Sequence, residues 1–546
     1  MADTKREIER KYEADAGTEL PDLTGVAGVA AVVHQGVTEL DATYYDTPEL
    51  RLAADGITLR RRTGGGDEGW HLKFPVSAGI RDEIRAPLDD TLPRALTDLV
   101  RSRTRDAELV PVVRLLSSRD VSHLVDEQGE LLAELSVDSV LAERLTEGGG
   151  TTSWTEIEVE LADDGDPALL DAVGKRLGKA GVRPSSAASK LARALEETAP
   201  ASAGAESGAE PGSAPAGAVD TRATKRTGKD AKAPKAAEAA KTVRDRGARL
   251  GPKDAGEFVL AYLREQRDAV VALDPAVRRD LPDAVHQMRV ATRRMRSAFK
   301  TYRKIIDRQV TDPLGDELKW LAGELGAARD QEVLAERLRD RVDGLPDTLV
   351  LGPVRRRLTF WGTANRSDAR RRSVAVLDTK RYLALLDALD ALLDEPPLLE
   401  AAAAKPEDAL PKAVLKDYGR LAARVAHALG LPAGHDRDLA MHDARKAAKR
   451  ARYAAEAATP ALGKPARKFA KRMKAVQTVL GDHQDSVVAR DTLRDLAIQA
   501  YAAGESAFSW GLLFGQEQAS AADRERELPD VWDKASRPKL RAALTA

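Results

Sequence analysis

The first third of the chain alternates. In Glu7-Ile8-Glu9-Arg10-Lys11 every second position is charged, and in WTEIEVELA Glu156, Glu158 and Glu160 alternate with Ile157, Val159 and Leu161. Successive side chains of a strand point to opposite faces, so each stretch reads as a strand with one charged face. Further strand-like segments are ATYYDT, GITLRRR, WHLKFP, RDEIRAPL, VVRLLSSRDVSHLV and LLAELSVDSVLAE, set apart by the turn formers GGGDEG, DEQGE and EGGG. Short helices are predicted near Leu92–Arg101 and Pro167–Ala180. Many antiparallel strands at this spacing predict a barrel or a sandwich.

The period then changes. Helical patterns begin near Ala255, Asp283, Pro313 and Gln331 and run to the end, broken at Pro and Gly. This part repeats internally. HQMRVATRRMR from His286 returns as HDARKAAKRAR from His442, 156 residues on, and LGAARDQEVL from Leu325 returns as LGDHQDSVVA from Leu480, 155 residues on. Two landmarks at nearly one offset predict tandem helical bundles, each with one basic helix and one Leu-Gly…Asp turn. Between the two regions the chain is Ala, Gly, Ser, Pro and Glu, then Lys-rich, with almost nothing apolar beyond Ala and Val. Such a stretch cannot bury a core and reads as a disordered linker. The expected fold is α+β and multidomain: an antiparallel β-barrel with flanking helices over 1–198, a linker over 199–250, and an all-α tandem region over 251–546.

Composition narrows the chemistry. There is no cysteine among 546 residues, which excludes disulfides, Cys-ligated zinc and thiol catalysis. No long uncharged apolar run and no secretory signal is visible, so a cytoplasmic protein without a membrane partner is expected. The net charge of −1 hides an asymmetry, because from Gly251 onward 52 basic residues face 43 acidic ones. The helical half is therefore moderately basic and suited to an anionic partner.

The charged faces of the strands carry both signs: Arg60 and Arg62 alternate, as do Arg81, Glu83 and Arg85. A closed barrel with a charged lumen, its apolar outer faces covered by helices, accounts for this. Carboxylates are hard ligands for Mg²⁺ or Mn²⁺, and Arg and Lys bind phosphate oxygens. Together they suit a metal–polyphosphate complex. His71 and His123 lie in strand segments without a second His at ligand spacing and read as packing or hydrogen-bonding residues; Tyr44 and Tyr45 read as structural.

In order along the chain, Glu7-x-Glu9-x-Lys11, Tyr45-Asp46-Thr47, Leu59-Arg60-x-Arg62, Leu72-Lys73, Arg81-x-Glu83, Arg114, Asp138, Glu156-x-Glu158-x-Glu160 and Ser189-Lys190 resemble the CYTH superfamily, the triphosphate tunnel metalloenzymes. The resemblance covers roughly residues 1–195. It implies an eight-stranded antiparallel tunnel. In it Lys11, Arg60, Arg62, Lys73, Arg81, Arg114 and Lys190 would hold the phosphates. Glu7, Glu9, Asp138, Glu156, Glu158 and Glu160 would organise the metal. Glu7, Glu9, Lys11, Arg60, Arg62 and Lys73 would form the catalytic set.

On a helix His286, Arg289 and Arg293 share one face, and so do His442, Arg445 and Lys449. Arg294 and Arg450 border these stripes; Arg296 and Arg452 lie farther round. Two such helices would line one basic groove, and the scarcity of aromatic residues on them favours a phosphate chain over stacked bases, so nucleic acid is disfavoured. The duplicated His-x-x-Arg helices, Leu325-Gly326 with Arg329-Asp330, and Leu480-Gly481-Asp482-His483-x-Asp485 resemble the CHAD domain, a conserved-histidine helical domain, from roughly Asp254 onward. The resemblance implies binding of long-chain inorganic polyphosphate; metal at His286, His442 or His483 is the weaker alternative. The combined expectation is Mg²⁺- or Mn²⁺-dependent hydrolysis of a triphosphate, with inorganic tripolyphosphate favoured by the helical partner. The alternatives are a nucleoside or thiamine triphosphatase, an adenylyl cyclase, or a non-catalytic polyphosphate-targeting protein.

Overall fold

The computed structural model describes residues 3–15, 17–199 and 253–546. All but the first residue of the expected linker lies outside the described residues, and the chain divides into two compact units.

The N-terminal unit is a closed antiparallel barrel. Its strands are β1 (Asp3–Ala14), β2 (Ala31–Asp46), β3 (Thr58–Thr63), β4 (Gly69–Ser77), β5 (Ile80–Ala86), β6 (Val110–Val125), β7 (Leu131–Arg144) and β8 (Thr151–Leu161), in the spatial order β5-β4-β3-β2-β6-β7-β8-β1. The first strand closes the ring. Asp3–Ile8 pairs with β5, and Glu9–Ala14 pairs with β8. A two-residue β9 (Arg183–Pro184) lies beside the end of β1. The beginning of β2 was not expected as strand. Its valines Val32, Val33 and Val37 are exposed, so the ribbon it forms with β6 shows no alternation to read.

Among the described residues four helices accompany the barrel: α1 (Arg51–Ala54), α2 (Arg94–Thr104), α3 (Ala168–Lys179) and α4 (Lys190–Glu197). The outward apolar residues Leu59, Leu72 and Ile84 pack on Leu96, Leu99 and Val100 of α2. Tyr12, Ile157 and Val159 pack on Leu170, Val173 and Leu177 of α3. The fourth helix does something different. Ser189 caps it by accepting a hydrogen bond from Ala192 N at 3.1 Å. Leu191 and Ala194 then pack against Tyr44, Leu115, Val140, Ala142 and Trp154. Those residues have the same strand parity as Arg119, Asp138 and Glu156, so they point inward. One half of the barrel interior is therefore charged, and the other half is apolar and stoppered by α4. Burying Leu191 there contributes about 2 kcal/mol to holding the stopper.

The second unit is helical: α5 (Ala255–Arg278), α6 (Ala284–Thr301), α7 (Arg308–Glu324), α8 (Gly326–Asp343), α9 (Val354–Leu377), α10 (Lys380–Asp394), α11 (Pro406–Gly430), α12 (His435–Leu462), α13 (Lys464–Ala502), α14 (Phe508–Ala535) and α15 (Pro538–Ala542). None of the described helices is long and apolar enough to cross a membrane. The tandem repeats share one core. Met288 and Met295 of α6, Met441 and Ala448 of α12, and Val476 of α13 belong to a single buried cluster. Tyr302 Oη donates to Ala454 O at 2.7 Å, and Thr301 Oγ1 to Asp417 Oδ2 at 2.6 Å, across the repeat boundary.

The expectation of a turn in each repeat is corrected. Leu325-Gly326 does lie at a junction, between α7 and α8. Leu480-Gly481, however, sits in the middle of α13, a continuous helix of 39 residues. Pro313, expected as a helix start, lies inside α7.

Candidate active site

The inward faces of the strands create one cavity of about 440 Å³, lined by nine basic and seven acidic side chains. Glu7, Glu9 and Lys11 come from β1, Arg60 and Arg62 from β3, Lys73 from β4, Arg81 and Arg85 from β5, Glu158 and Glu160 from β8, and Lys190 from the first turn of α4. The alternation of the sequence is thus a lining. Arg61, between two cavity residues, faces out and pairs with Asp90 at 3.1 Å.

The charges are interleaved. Lys73 lies 2.6 Å from Glu7 and 3.4 Å from Glu83. Lys5 lies 2.7 Å from Glu160. Lys11 contacts Glu158 and lies 3.3 Å from Glu9, and Arg81 is 3.8 Å from Glu9. At the α4 end, Lys190 Nζ reaches Asp138 at 2.9 Å and Glu156 and Glu158 at 2.6 Å each. Asp138 and Glu156 are buried behind Lys190 and do not line the cavity. Trp154 Nε1 donates to Glu156 Oε2 at 2.6 Å and fixes that carboxylate.

These contacts set the protonation states. Burial alone would lower the pKa of Lys190, but Asp138, Glu158 and Glu156 outweigh it and raise the value. Burial would raise Glu158, and Lys11, Lys190 and Arg119 instead hold it well below the ordinary carboxylate range. Glu7 is pushed up, by burial first and then by Glu83 and Glu160, in spite of Lys73. Arg62 falls to about 9 through burial and the neighbouring Arg60 and Arg119. An anion entering the cavity would relieve that repulsion.

Arg114 does not belong to this site. It points away from the cavity and pairs with Asp41 at 2.6 Å on the barrel exterior, with 45% of its side chain exposed. Five residues on, with the opposite parity, Arg119 enters the lumen. It donates to both oxygens of Asp138 at 2.7 Å and to Glu158 Oε2 at 2.8 Å. His71, expected to pack or hydrogen-bond, is buried against Glu83. His71 Nδ1 lies 2.8 Å from Glu83 Oε1, and its Nε2 lies 2.9 Å from Asp67 O. Burial, aided by Arg60 and Arg62 and opposed by Glu83, lowers His71 to about 4.

In the helical unit α6 packs on α12 within the shared core. Lys449 feels the charges of Arg445, Arg293 and Arg289, so the two expected stripes meet in one basic patch; burial first and then these arginines lower its pKa to about 8. Arg293 Nε and Arg445 Nε are buried donors with no hydrogen-bond partner among the described residues. Asp485 stands 3.4 Å from Arg445. The glycine of each Leu-Gly pair is where an arginine crosses the helix. A Cβ on Gly326 would stand 2.7 Å from Arg289 Nη2, and one on Gly481 3.5 Å from Arg445 Nη2. Arg294 and Arg450 are not in the patch: they pair with Glu456 at 3.4 Å and with Asp417 at 3.0 Å. His286 is half-buried, and His442 Nδ1 contacts Gln484 Oε1 at 2.7 Å. The side chains of Arg329 and Asp330 lie outside the described residues.

Comparison with known proteins agrees with this division. A CYTH domain is matched over residues 5–195 and a CHAD domain over 261–494. A protein of Mycobacterium tuberculosis strain H37Rv, itself uncharacterised, is 38% identical over 539 residues, 95% of this chain and 94% of its own. The chain belongs to the CYTH–CHAD proteins. Human thiamine-triphosphatase is 44% identical over 82 residues, 15% of this chain and 31% of that enzyme. Among solved structures, PptA from Streptomyces chartreusis is 22% identical, with a TM-score of 0.44 over 51% of this chain and 99% of its own.

The CYTH acids fit a divalent metal by donor chemistry. Asp138, Glu156 and Glu158 each offer an oxygen within 4.8 Å of the others, and Glu7, Glu9 and Glu160 add carboxylates facing the lumen. An all-oxygen set of this kind suits a hard cation.

Proposed function

We propose that the CYTH domain hydrolyses a phosphoanhydride bond of a triphosphate, inorganic tripolyphosphate first, and that the CHAD domain binds long-chain polyphosphate. The observation that carries this is the blind, doubly charged cavity. Among the described residues its lining of nine bases and seven acids has a formal excess of only two, less than the charge of a triphosphate. A divalent cation bound with the substrate restores the balance. Glu7, Glu9, Glu158 and Glu160 would hold Mg²⁺ or Mn²⁺ from the lumen, with Asp138 and Glu156 behind them. The ion would supply Lewis acidity at the phosphoryl oxygens.

The protein's own residues bind and orient. Lys11, Arg119 and Lys190 stand where an entering chain end stops, against the α4 stopper. Arg60, Arg62, Lys73 and Arg81 flank the path and take up the non-bridging oxygens, the arginines as forks. Positioned cations of this kind stabilise the charge that spreads over the transferring phosphoryl group. His71 and Glu83 hold Lys73 in place from behind.

Among the described residues, Tyr44 is the only aromatic one lining the cavity. It is buried, and Arg60 Nη1 donates to its hydroxyl at 3.3 Å, so no ring is offered to stack on a base or a thiazole. This favours an inorganic substrate. The local likeness to human thiamine-triphosphatase supports a second reading, an organic triphosphate. Phosphate release from tripolyphosphate, ATP, thiamine triphosphate and long polyphosphate, with Mg²⁺ or Mn²⁺, separates the two. No release from any of them, with polyphosphate binding intact, would leave a targeting protein. Glu158→Gln is expected to lower kcat on the order of 10²-fold or more.

A further inference from the structure

Three successive helices of the second repeat bring Asp438 of α12, His483 of α13 and Glu525 of α14 together. His483 is fully buried, and its Nε2 lies 3.3 Å from Asp438 Oδ1 and 3.3 Å from Glu525 Oε1. The three ligand atoms all fall within 4.8 Å of one another. The other oxygen of each acid is held from outside. Arg490 Nη2 donates to Asp438 Oδ2 at 2.7 Å, and Arg437 Nη1 lies 3.3 Å from Glu525 Oε2. Each carboxylate is so turned that its remaining oxygen faces the imidazole.

A ring nitrogen carries at most one hydrogen, so Nε2 serves two acceptors only as a shared, weak donor. Both contacts are longer than the roughly 2.9 Å usual for such bonds. The spacing suits a cation instead. Donors about 2.0 Å from a four-coordinate ion stand about 3.3 Å apart along the edges of the tetrahedron. Both separations from His483 Nε2 have that length. One imidazole nitrogen with two carboxylate oxygens selects a first-row divalent ion such as Zn²⁺ over Mg²⁺ or Ca²⁺. Groups that hold the outer atoms of ligands, as Arg437 and Arg490 do here, fix ligand orientation in protein metal sites.

We propose that Asp438, His483 and Glu525 form a divalent transition-metal site in the CHAD domain, distinct from the carboxylates of the barrel. The two arginines already neutralise the two acids, so the bound ion adds positive charge, and its fourth position is open to water or to a phosphate oxygen. The site belongs to the second repeat alone, because 155 residues before His483 the sequence has Ala328.

The test uses the full chain, stripped with a chelator and dialysed against Zn²⁺ in a large excess of Mg²⁺. The all-oxygen acids of the barrel then hold Mg²⁺, and retained zinc reports the nitrogen-containing site. Wild type is expected to retain about one equivalent, and His483→Gln and Asp438→Asn to lose it. With Co²⁺, wild type should show the intense visible d–d bands of a four-coordinate ion, and His483→Gln should not. Should His483→Gln fail to give a native circular dichroism spectrum, Glu525→Gln, at a partly exposed position, decides in its place. Zinc content unchanged in the folded variants, or no zinc retained by wild type, overturns the proposal.

Discussion

Replacing Arg119 by alanine tests the corrected lining of the barrel. Three short contacts are lost, two to Asp138 and one to Glu158. Asp138 is fully buried, and stripping one partner from a buried ion pair costs about 3–5 kcal/mol. Lys190 still stands 2.9 Å from Asp138 and 2.6 Å from Glu158, so the low end, about 3 kcal/mol, is expected. For a domain of this size that is a fall in Tm of about 6–12 °C. Removal of one preorganised cation from the proposed phosphate path should lower kcat about 10²–10³-fold. Arg119→Lys keeps the charge and loses the fork, and should fall between. Arg114→Ala, on the exterior, should change neither quantity. The measurements are calorimetry and phosphate release from tripolyphosphate, the latter well below both melting points. Equal losses from Arg114→Ala and Arg119→Ala, or wild-type turnover in Arg119→Ala, would refute the assignment of the lumen.

Gly326→Ala should displace Arg289 and weaken polyphosphate binding several-fold, whereas Gly481→Ala, with ordinary contact distances, should bind normally and gain up to about 1 kcal/mol of helix stability; calorimetric titration and melting check both. Lys449, lowered to about 8 in the free protein, should be raised when an anion binds. Affinity for polyphosphate is then full below pH 8 and falls as pH rises from 8 towards the bound-state value, by at most about tenfold per pH unit; Lys449→Met should flatten that limb. The same binding should weaken steeply with salt, and charge reversal at Arg445 should weaken it more than reversal at Arg424, which pairs with Asp443 at 3.1 Å outside the patch. Fragments 1–198 and 251–546 should each fold, and limited proteolysis should cut first between them; an uncut chain would contradict this.

The strands with charged lumen faces were legible because a period of two is a local property. Glu7, Glu9 and Lys11 advertise their shared face within five residues, and so do Glu156, Glu158 and Glu160. Arg119 was not legible. In VVRLLSSRDVSHLV both parities carry an arginine and a leucine, and only pairing with β2 and β7 decides which parity turns inward. The α4 stopper was equally hidden, since a short helix after a loop does not reveal that its apolar face enters a barrel. In the helical half the duplication picked out Arg289, Arg293, Arg445 and Lys449, whose charges act on one another in the structure, but misread Gly481. Glycine and aspartate signal a turn in isolation, and here the surrounding helix is held by burial of Val476, Val479 and Leu480, while Arg445 lies across the glycine. Arg294 and Arg450 sit one residue beyond the stripes. That rotation is enough to hand them to Glu456 and Asp417.

The closure of the ring by β1 has a consequence for synthesis. Among the described strands of the barrel, the first in chain order is among the last to be paired, because Glu9–Ala14 must wait for β8, almost 150 residues later in the chain. An unpaired strand is a template for aggregation unless charge blunts it. Glu7, Glu9 and Lys11, which in the finished barrel are turned toward the charged cavity, are, until β8 has been made, the groups that keep β1 hydrated. One alternation guards the nascent strand and furnishes the site, so substitutions that make the lumen apolar should lower the yield of soluble protein before they can be scored for activity.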